Sequence, residues 1–329
     1  MIIYFLPIFS PYGTGEGVNK LRQKEINDDK LYDYKIKMKA TAVSRTAQYI
    51  AFFRAIETNQ PTKKRLFDDE LASEFLDIGL KLAVKITAMP VIGNIIINYI
   101  QKRGLGALSA SIARTKYIDD LLKKAIDGGA KQVIILGAGF DTRAMRLPFL
   151  KDMPVIEIDH PNTSDYKLDI FKKSNIKSPS NISYLQIDFN KQGLSEFSFQ
   201  RNINFSLPTV IIWEGVTSYL SSEAIDKSFE FFQKFASGSS IIFTYLHRLA
   251  LDDSNAFKGV AQMKELLKSK EENWTFGFYP EQLPNYLQTY GLTLYEDNGA
   301  VEYRKMYMPE RKNLLNGFEF HRIAFVGKK

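Results

Sequence analysis

The chain has no cysteine and only three histidines, His160, His247 and His321, and these scarcities remove whole classes of chemistry. Without cysteine there is no disulfide, no thiolate metal site and no cysteine nucleophile, and the histidines do not recur at metal-ligand spacing. No metal is expected. Long apolar runs are also missing. The opening stretch MIIYFLPIF has no basic segment before it and leads into Ser10-Pro11-Tyr12-Gly13, a poor context for a cleaved export signal. Residues 86–100 are apolar but contain Pro90, Gly93, Asn94 and Asn98, and they fall short of the ~20 residues that span a bilayer. They are expected to form a buried or pocket-lining helix, in a cytoplasmic protein without membrane contact.

What is present suits a sizeable core. The chain has 329 residues, 45% of them hydrophobic, enough for one elaborated domain or a domain with a helical appendage. Its formal charge of +7 is scattered among acidic residues rather than gathered into a tract, so it reads as solvation, with no nucleic-acid partner expected. Apolar residues recur at helical spacing through Ala47, Ile50, Ala51 and Ala55, and through Leu71, Phe75, Ile78 and Leu82. These place a helical cap over residues 38–114. A helix is expected at 114–126, stopped by Gly128-Gly129. From 115 to 329 short apolar runs alternate with amphipathic segments, the pattern of a parallel α/β sheet. Strands are expected at 133–136, 155–159, 182–187, 209–213 and 240–245, with a helix after Ser221 or Ser222, and a terminal antiparallel pair at 292–295 and 319–326.

The first strand runs into Gly137-Ala138-Gly139-Phe140-Asp141-Thr142-Arg143. Glycines at the end of a buried strand permit a tight turn and let a ligand approach the backbone, although a purely structural turn uses them too. A dinucleotide fingerprint requires glycine or alanine where Thr142 stands, which disfavours a nicotinamide-dependent oxidoreductase, as does the lack of a Tyr-x-x-x-Lys arrangement. Glu157 and Asp159 lie about 20 residues beyond the glycines, where an acid at a strand end can accept hydrogen bonds from ribose hydroxyls; Asp159 is the better placed. The third strand ends in Asp188-Phe189, a carboxylate and a ring suited to an adenine, and the fourth in Glu214-Gly215. One such acid could cap a helix. Acids at three successive strand ends point to a nucleoside ligand at the carboxyl edge.

These segments resemble the leucine carboxyl methyltransferase family, in particular its bacterial S-adenosylmethionine-dependent branch. The resemblance rests on Ser44-Arg45-Thr46, the run from Ala113 to Asp120, the run from Leu136 to Arg143, Glu157-Ile158-Asp159-His160-Pro161, Asp188-Phe189 and the run from Glu214 to Leu220. It implies a Rossmann-like (class I) methyltransferase fold, with a seven-stranded, mostly parallel sheet, an antiparallel C-terminal strand and an N-terminal helical cap. By the same resemblance Gly137, Ala138 and Gly139 form the cofactor loop, Asp159 holds the ribose, Asp188 and Phe189 the adenine, Arg114 and Arg45 the methionine carboxylate, and Glu214 the methionyl amine. The implied activity is transfer of a methyl group from S-adenosylmethionine to a carboxylate or hydroxyl of a small molecule or peptide. Glu214, Tyr219 and His247 are the candidate bases should the acceptor need one. Residues 247–275 are expected to form an acceptor-side lid. Residues 1–37 have no counterpart in the family, which makes Met38 a candidate native start. A non-catalytic protein that keeps the cofactor pocket is the remaining alternative, while a base methyltransferase acting on nucleic acid would need an Asn/Asp-Pro-Pro-aromatic motif that the fourth strand lacks.

Overall fold

The computed structural model describes residues 45–188, 194, 203–268, 273–311 and 317–329, so the expected extension 1–37, part of the expected lid and Phe189 lie outside the described residues. Among the described residues, four helices come first: α1 (Arg45–Thr58), α2 (Ile78–Thr87), α3 (Pro90–Arg103) and α4 (Ala107–Asp127). Asp77 starts α2 by accepting a hydrogen bond from the Leu80 amide at 2.9 Å, and Pro90 sits at the start of α3, where its missing N–H costs nothing. A 3-10 turn, Glu70–Phe75, follows α1 and is capped by Asp69.

The chain then alternates β1 (Gln132–Leu136), α5 (Arg143–Arg146), β2 (Val155–Asp159), α6 (Pro161–Lys173), β3 (Ile182–Gln186), β4 (Thr209–Trp213), α7 (Ser222–Phe232) and β5 (Ser240–Leu246). It closes with α8 (Leu249–Asp252), α9 (Val260–Lys268), α10 (Leu283–Gln288), β6 (Leu292–Gly299), α11 (Ala300–Tyr307) and β7 (His321–Lys328). The seven strands form one sheet in the order β3-β2-β1-β4-β5-β7-β6, with β7 antiparallel to both of its neighbours and the other pairs parallel. This is the expected sheet. Ser221 caps α7 by accepting from the Ala224 amide at 3.2 Å.

Alternation along the buried strands builds two cores. Val133, Ile135, Val155, Val210 and Ile212 face one way, against α4 and α6. Ile134, Leu136, Ile156, Ile211 and Trp213 face the other way, against α7 and α10, where Trp213 meets Phe229 and Phe232 edge to face. Each such large apolar side chain contributes roughly 1.5–3 kcal/mol on burial.

Two expectations need correction. The helix expected from 114 begins at Ala107, because Ala107, Ser109, Ala110, Ser111 and Ala113 lie in a half-helix enclosed nearly all round, which shows no amphipathic period. This helix runs through the expected boundary at 114/115. The apolar stretch 86–100 is not one buried helix. Pro90 divides it, and α3 turns Val91 and Ile95 to solvent at 73% and 64% exposure. Among the described residues no helix is long and apolar enough to cross a membrane.

Candidate functional site

The parallel register brings the ends of three strands together. Leu136 pairs with Ile158 on one side and Trp213 on the other, so the residues that follow, Gly137, Asp159 and Glu214, meet at the carboxyl edge. Gly137 and Gly139 both take left-handed backbone, φ 63° and 50°, which glycine adopts without penalty. A side chain on Gly137 would collide with Val216 Cγ2, and one on Gly139 would stand 4.0 Å from Asp159 Oδ2 and 3.7 Å from Ala47 of α1. The turn is therefore kept bare beneath the cap helix.

Asp159 holds its carboxylate at this turn. One oxygen accepts from the Gly139 amide and the other from the His160 amide at 2.6 Å. Each oxygen keeps lone-pair capacity for a further donor. Burial raises the Asp159 pKa, and the two amides oppose that rise. Asp188 stands 3.8 Å from His160 Nε2. Glu157, two residues inside β2, is a different case. It is buried and bonded to Lys167 at 2.5 Å, so it serves the packing of α6 on the sheet.

Beneath the turn lies a buried ionic chain that links cap and sheet. Arg54 of α1 bonds Asp69 at 2.7 Å, Arg146 bonds Asp119 of α4 at 2.8 Å, and Arg143 bonds Asp119 at 2.8 Å, Asp141, and Glu214 at 2.9 Å. Arg114 of α4 completes it by bonding Glu214 at 2.7 Å. Four arginines balance four carboxylates, which is how such charges are tolerated away from water. Burial pushes the Glu214 pKa up, but the charges of Arg143 and Arg114 outweigh it and hold the group below its ordinary value. Asp141 is held down to about 2 because Arg143, Arg54 and Lys167 overcome its burial. Thr142 donates to Asp69 at 2.7 Å and so spends on the cap the position that a dinucleotide site would give to glycine.

Arg114 also borders a cavity of about 540 Å³. Its walls come from α1 (Tyr49, Phe53), the end of α3 (Arg103), α9 (Met263, Leu266) and, past α9, Trp274. The end of β4 and the turn beyond it add Gly215, Ser218 and Tyr219, and the entry to β7 adds Phe318 and His321. The Thr275 amide donates to the Ser218 carbonyl at 2.8 Å, which ties the Trp274 segment to the sheet edge. Of the three candidate bases, Tyr219 lines the cavity and Glu214 sits behind Arg114. His247 does neither, because its Nδ1 accepts from the Leu249 amide at 3.2 Å and its ring packs on Phe257. Arg45 is the first residue of α1, two positions before the Ala47 that meets the glycine turn; its side chain is outside the described residues.

The family model for "Leucine carboxyl methyltransferase" matches residues 47–233, more than half of the chain, including the glycine turn, Asp159, Glu214 and Arg114. The chain belongs to the leucine carboxyl methyltransferase family. It is an S-adenosylmethionine-dependent methyltransferase. A Bacillus subtilis (strain 168) member named "Putative S-adenosyl-L-methionine-dependent methyltransferase YktD" is 27% identical over 309 residues, which cover 88% of this chain and 100% of that protein. A Mycobacterium avium (strain 104) protein named "Putative S-adenosyl-L-methionine-dependent methyltransferase" is 30% identical over 192 residues, 58% of this chain and 62% of its own length. Among solved structures, a DUF574 family protein from Streptomyces avermitilis superposes with a TM-score of 0.52 at 11% identity, covering 83% of this chain and 100% of that one. A "putative methyltransferase" from Thermobifida fusca superposes with a TM-score of 0.50 at 16% identity, covering 82% and 96%. Both share the fold.

The side chains present suit the methyltransferase cofactor, which carries a ribose diol, an amino-substituted adenine, an ammonium and a carboxylate. Asp159 and Asp188 offer acceptors, and Glu214 offers a charged one. Arg114 engages Glu214 through Nε only, and its two terminal nitrogens make no hydrogen bond among the described residues. Sequence reasoning missed the network behind these groups. Asp119 lies on the apolar side of α4 between Ile118 and Leu122, and a carboxylate there is the one signal that a buried cation must face it.

Proposed function

We propose that this methyltransferase acts on oxygen, the carboxylate or hydroxyl of a small molecule or peptide, with the cofactor along the glycine turn and the acceptor in the adjoining cavity. The carboxyl acceptor in the matching family's description supports oxygen, and the placement of Arg114 carries the two adjoining sites. One nitrogen braces Glu214 at the strand edge while the side chain borders the cavity, so a single residue touches both chambers.

In this reading Gly137, Ala138 and Gly139 give close backbone approach, Asp159 accepts from the ribose hydroxyls and Asp188 from the adenine amine, with Phe189 beside it in sequence. The terminal nitrogens of Arg114 pair bidentately with the methionine carboxylate, and Arg45, the first residue of α1, is the second basic residue assigned to it. Glu214, kept ionised by two arginines, receives the ammonium. That same stabilisation makes it a weak base. The bound cofactor supplies an activated methyl group, so the protein's part is to orient the two reactants and exclude water. α1, α9 and the Trp274 segment form the acceptor-side lid. A carboxylate acceptor needs no base, whereas a hydroxyl does.

The test is transfer of labelled methyl from S-adenosylmethionine into a small-molecule and peptide extract, followed by mass spectrometry of the products. Label recovered as methyl esters, which alkali cleaves, or as methyl ethers, which survive it, is the expected result. Label on nitrogen, carbon or sulfur would overturn the assignment to oxygen.

A further inference from the structure

His321 has no part in the arrangement so far, yet it lines the same cavity. Its ring is stacked on Phe318, with centroids 4.6 Å apart and planes 9° from parallel, and it meets Trp274 edge-on at 6.0 Å and Phe320 at 4.9 Å. Three aromatic rings therefore fix its orientation. Neither ring nitrogen makes a hydrogen bond among the described residues. An imidazole held between these rings presents a fixed acceptor that no donor among the described residues fills.

We infer that the cavity takes a flat phenolic acceptor and that His321 accepts the hydrogen bond of its hydroxyl and then its proton, an inference that rests on the methyltransferase reading of the site. Tyr49, Phe53, Tyr219, Trp274 and Phe318 supply aromatic walls, which receive a planar ring by stacking and edge contacts. The neutral ring nitrogen selects the functional group. A carboxylate brings no proton to it, whereas a hydroxyl does, and the aromatic walls favour a hydroxyl carried on a flat ring. Burial, and after it the charge of Arg114, holds the His321 pKa down to about 3, so the ring is unprotonated and ready to accept at neutral pH. As the phenolic oxygen bonds to the methyl carbon, its O–H bond breaks and the proton passes to the imidazole. The methyl's former bonding pair stays on the donor sulfur. The oxygen gains positive charge as it is methylated, which makes its O–H strongly acidic at that moment, so even a weakly basic imidazole takes the proton, and the positive charge lost at sulfur reappears on the ring.

The experiment uses calorimetry on the full chain saturated with S-adenosylhomocysteine, titrated with 2-naphthol and with 2-naphthoate. Wild type is expected to bind 2-naphthol at least about tenfold tighter, the value of one well-made hydrogen bond. His321→Ala should lose that preference while binding S-adenosylhomocysteine as wild type does. His321→Gln, which can accept a hydrogen bond but not the proton, should recover naphthol binding while methyl transfer to naphthol stays down by about 100-fold, the usual contribution of a general base. Equal binding of naphthoate, or unchanged naphthol binding in His321→Ala, overturns the inference. Failure of wild type to bind S-adenosylhomocysteine overturns the cofactor reading instead, so the two failures are distinguishable.

Discussion

Replacing Arg143 with methionine should unfold this protein more readily than any change of similar size at the mouth of the site. The Arg143 side chain is 4% exposed and bonds three carboxylates. In Arg143→Met, Asp119 keeps Arg146 and Glu214 keeps Arg114, but Asp141 loses its one side-chain ion pair among the described residues and stays buried. Removing one partner from a buried pair costs about 3–5 kcal/mol, and the charges of Arg54 and Lys167, which make no ion pair with Asp141 among the described residues, compensate only in part. With a urea dependence of about 3 kcal/mol per molar for a chain of this size, the midpoint should fall by about 1–1.7 M. Circular dichroism across a urea series reads it directly. Adding Asp141→Asn should recover part of the loss, since it removes the charge that was orphaned. A midpoint within about 0.3 M of wild type, or a double variant worse than the single one, would refute the account of the network.

Three further outcomes follow from particular residues. Gly137→Ala places a side chain at φ 63° and against Val216, so it should cost at least about 1–2 kcal/mol in thermal unfolding and weaken S-adenosylmethionine binding more than Gly238→Ala, at φ 81° on the far side of the sheet, does. Burial and the charge of Arg114 hold the His321 pKa down from its ordinary 6.5 to about 3 in the folded chain, so the unfolded chain binds the extra proton and stability falls with acid through that window. Its contribution is fully present above pH 6.5 and fades by up to about 1.4 kcal/mol per pH unit below it; His321→Ala should flatten that slope in urea titrations at pH 5 and 7. Arg114→Gln leaves Arg143 on Glu214, so it should cost less stability than Arg143→Met while raising the Kd for S-adenosylmethionine at least about tenfold, by loss of a charge-assisted pair. Equal destabilisation by the two changes would contradict their separate roles.

The strands were the most legible part of the molecule. A run such as Val-Ile-Ile-Leu bounded by glycine or proline has one good use in an α/β chain, to be buried on both faces, and the ends of β2 and β4 fall at the residues that the pattern marks. β6 runs to Gly299 rather than 295 because Glu296, Asp297 and Asn298 read as loop until their partners Tyr117, Tyr245 and Arg322 are known. Helix α4 failed for the opposite reason, since a segment buried nearly all round has no face to show. The acids at the strand ends could be located because each belongs to a strand that announces itself. His321 could not, since what makes it notable is the meeting of β7, Trp274 and α4 in space, and spacing along the chain records none of that. Glu157 and Asp159, equivalent in sequence as acids two residues apart, are separated only by Lys167, which claims the inner one.

The central claim is that the bare glycine turn and the Asp159 carboxylate form the cofactor's ribose site. Calorimetric titration of S-adenosylmethionine into wild type and Asp159→Ala tests it most directly. Wild type should bind measurably and the variant at least about 30-fold more weakly, as expected when hydrogen bonds to a charged acceptor are removed. Binding of equal strength by the two proteins, with both folded, would contradict it.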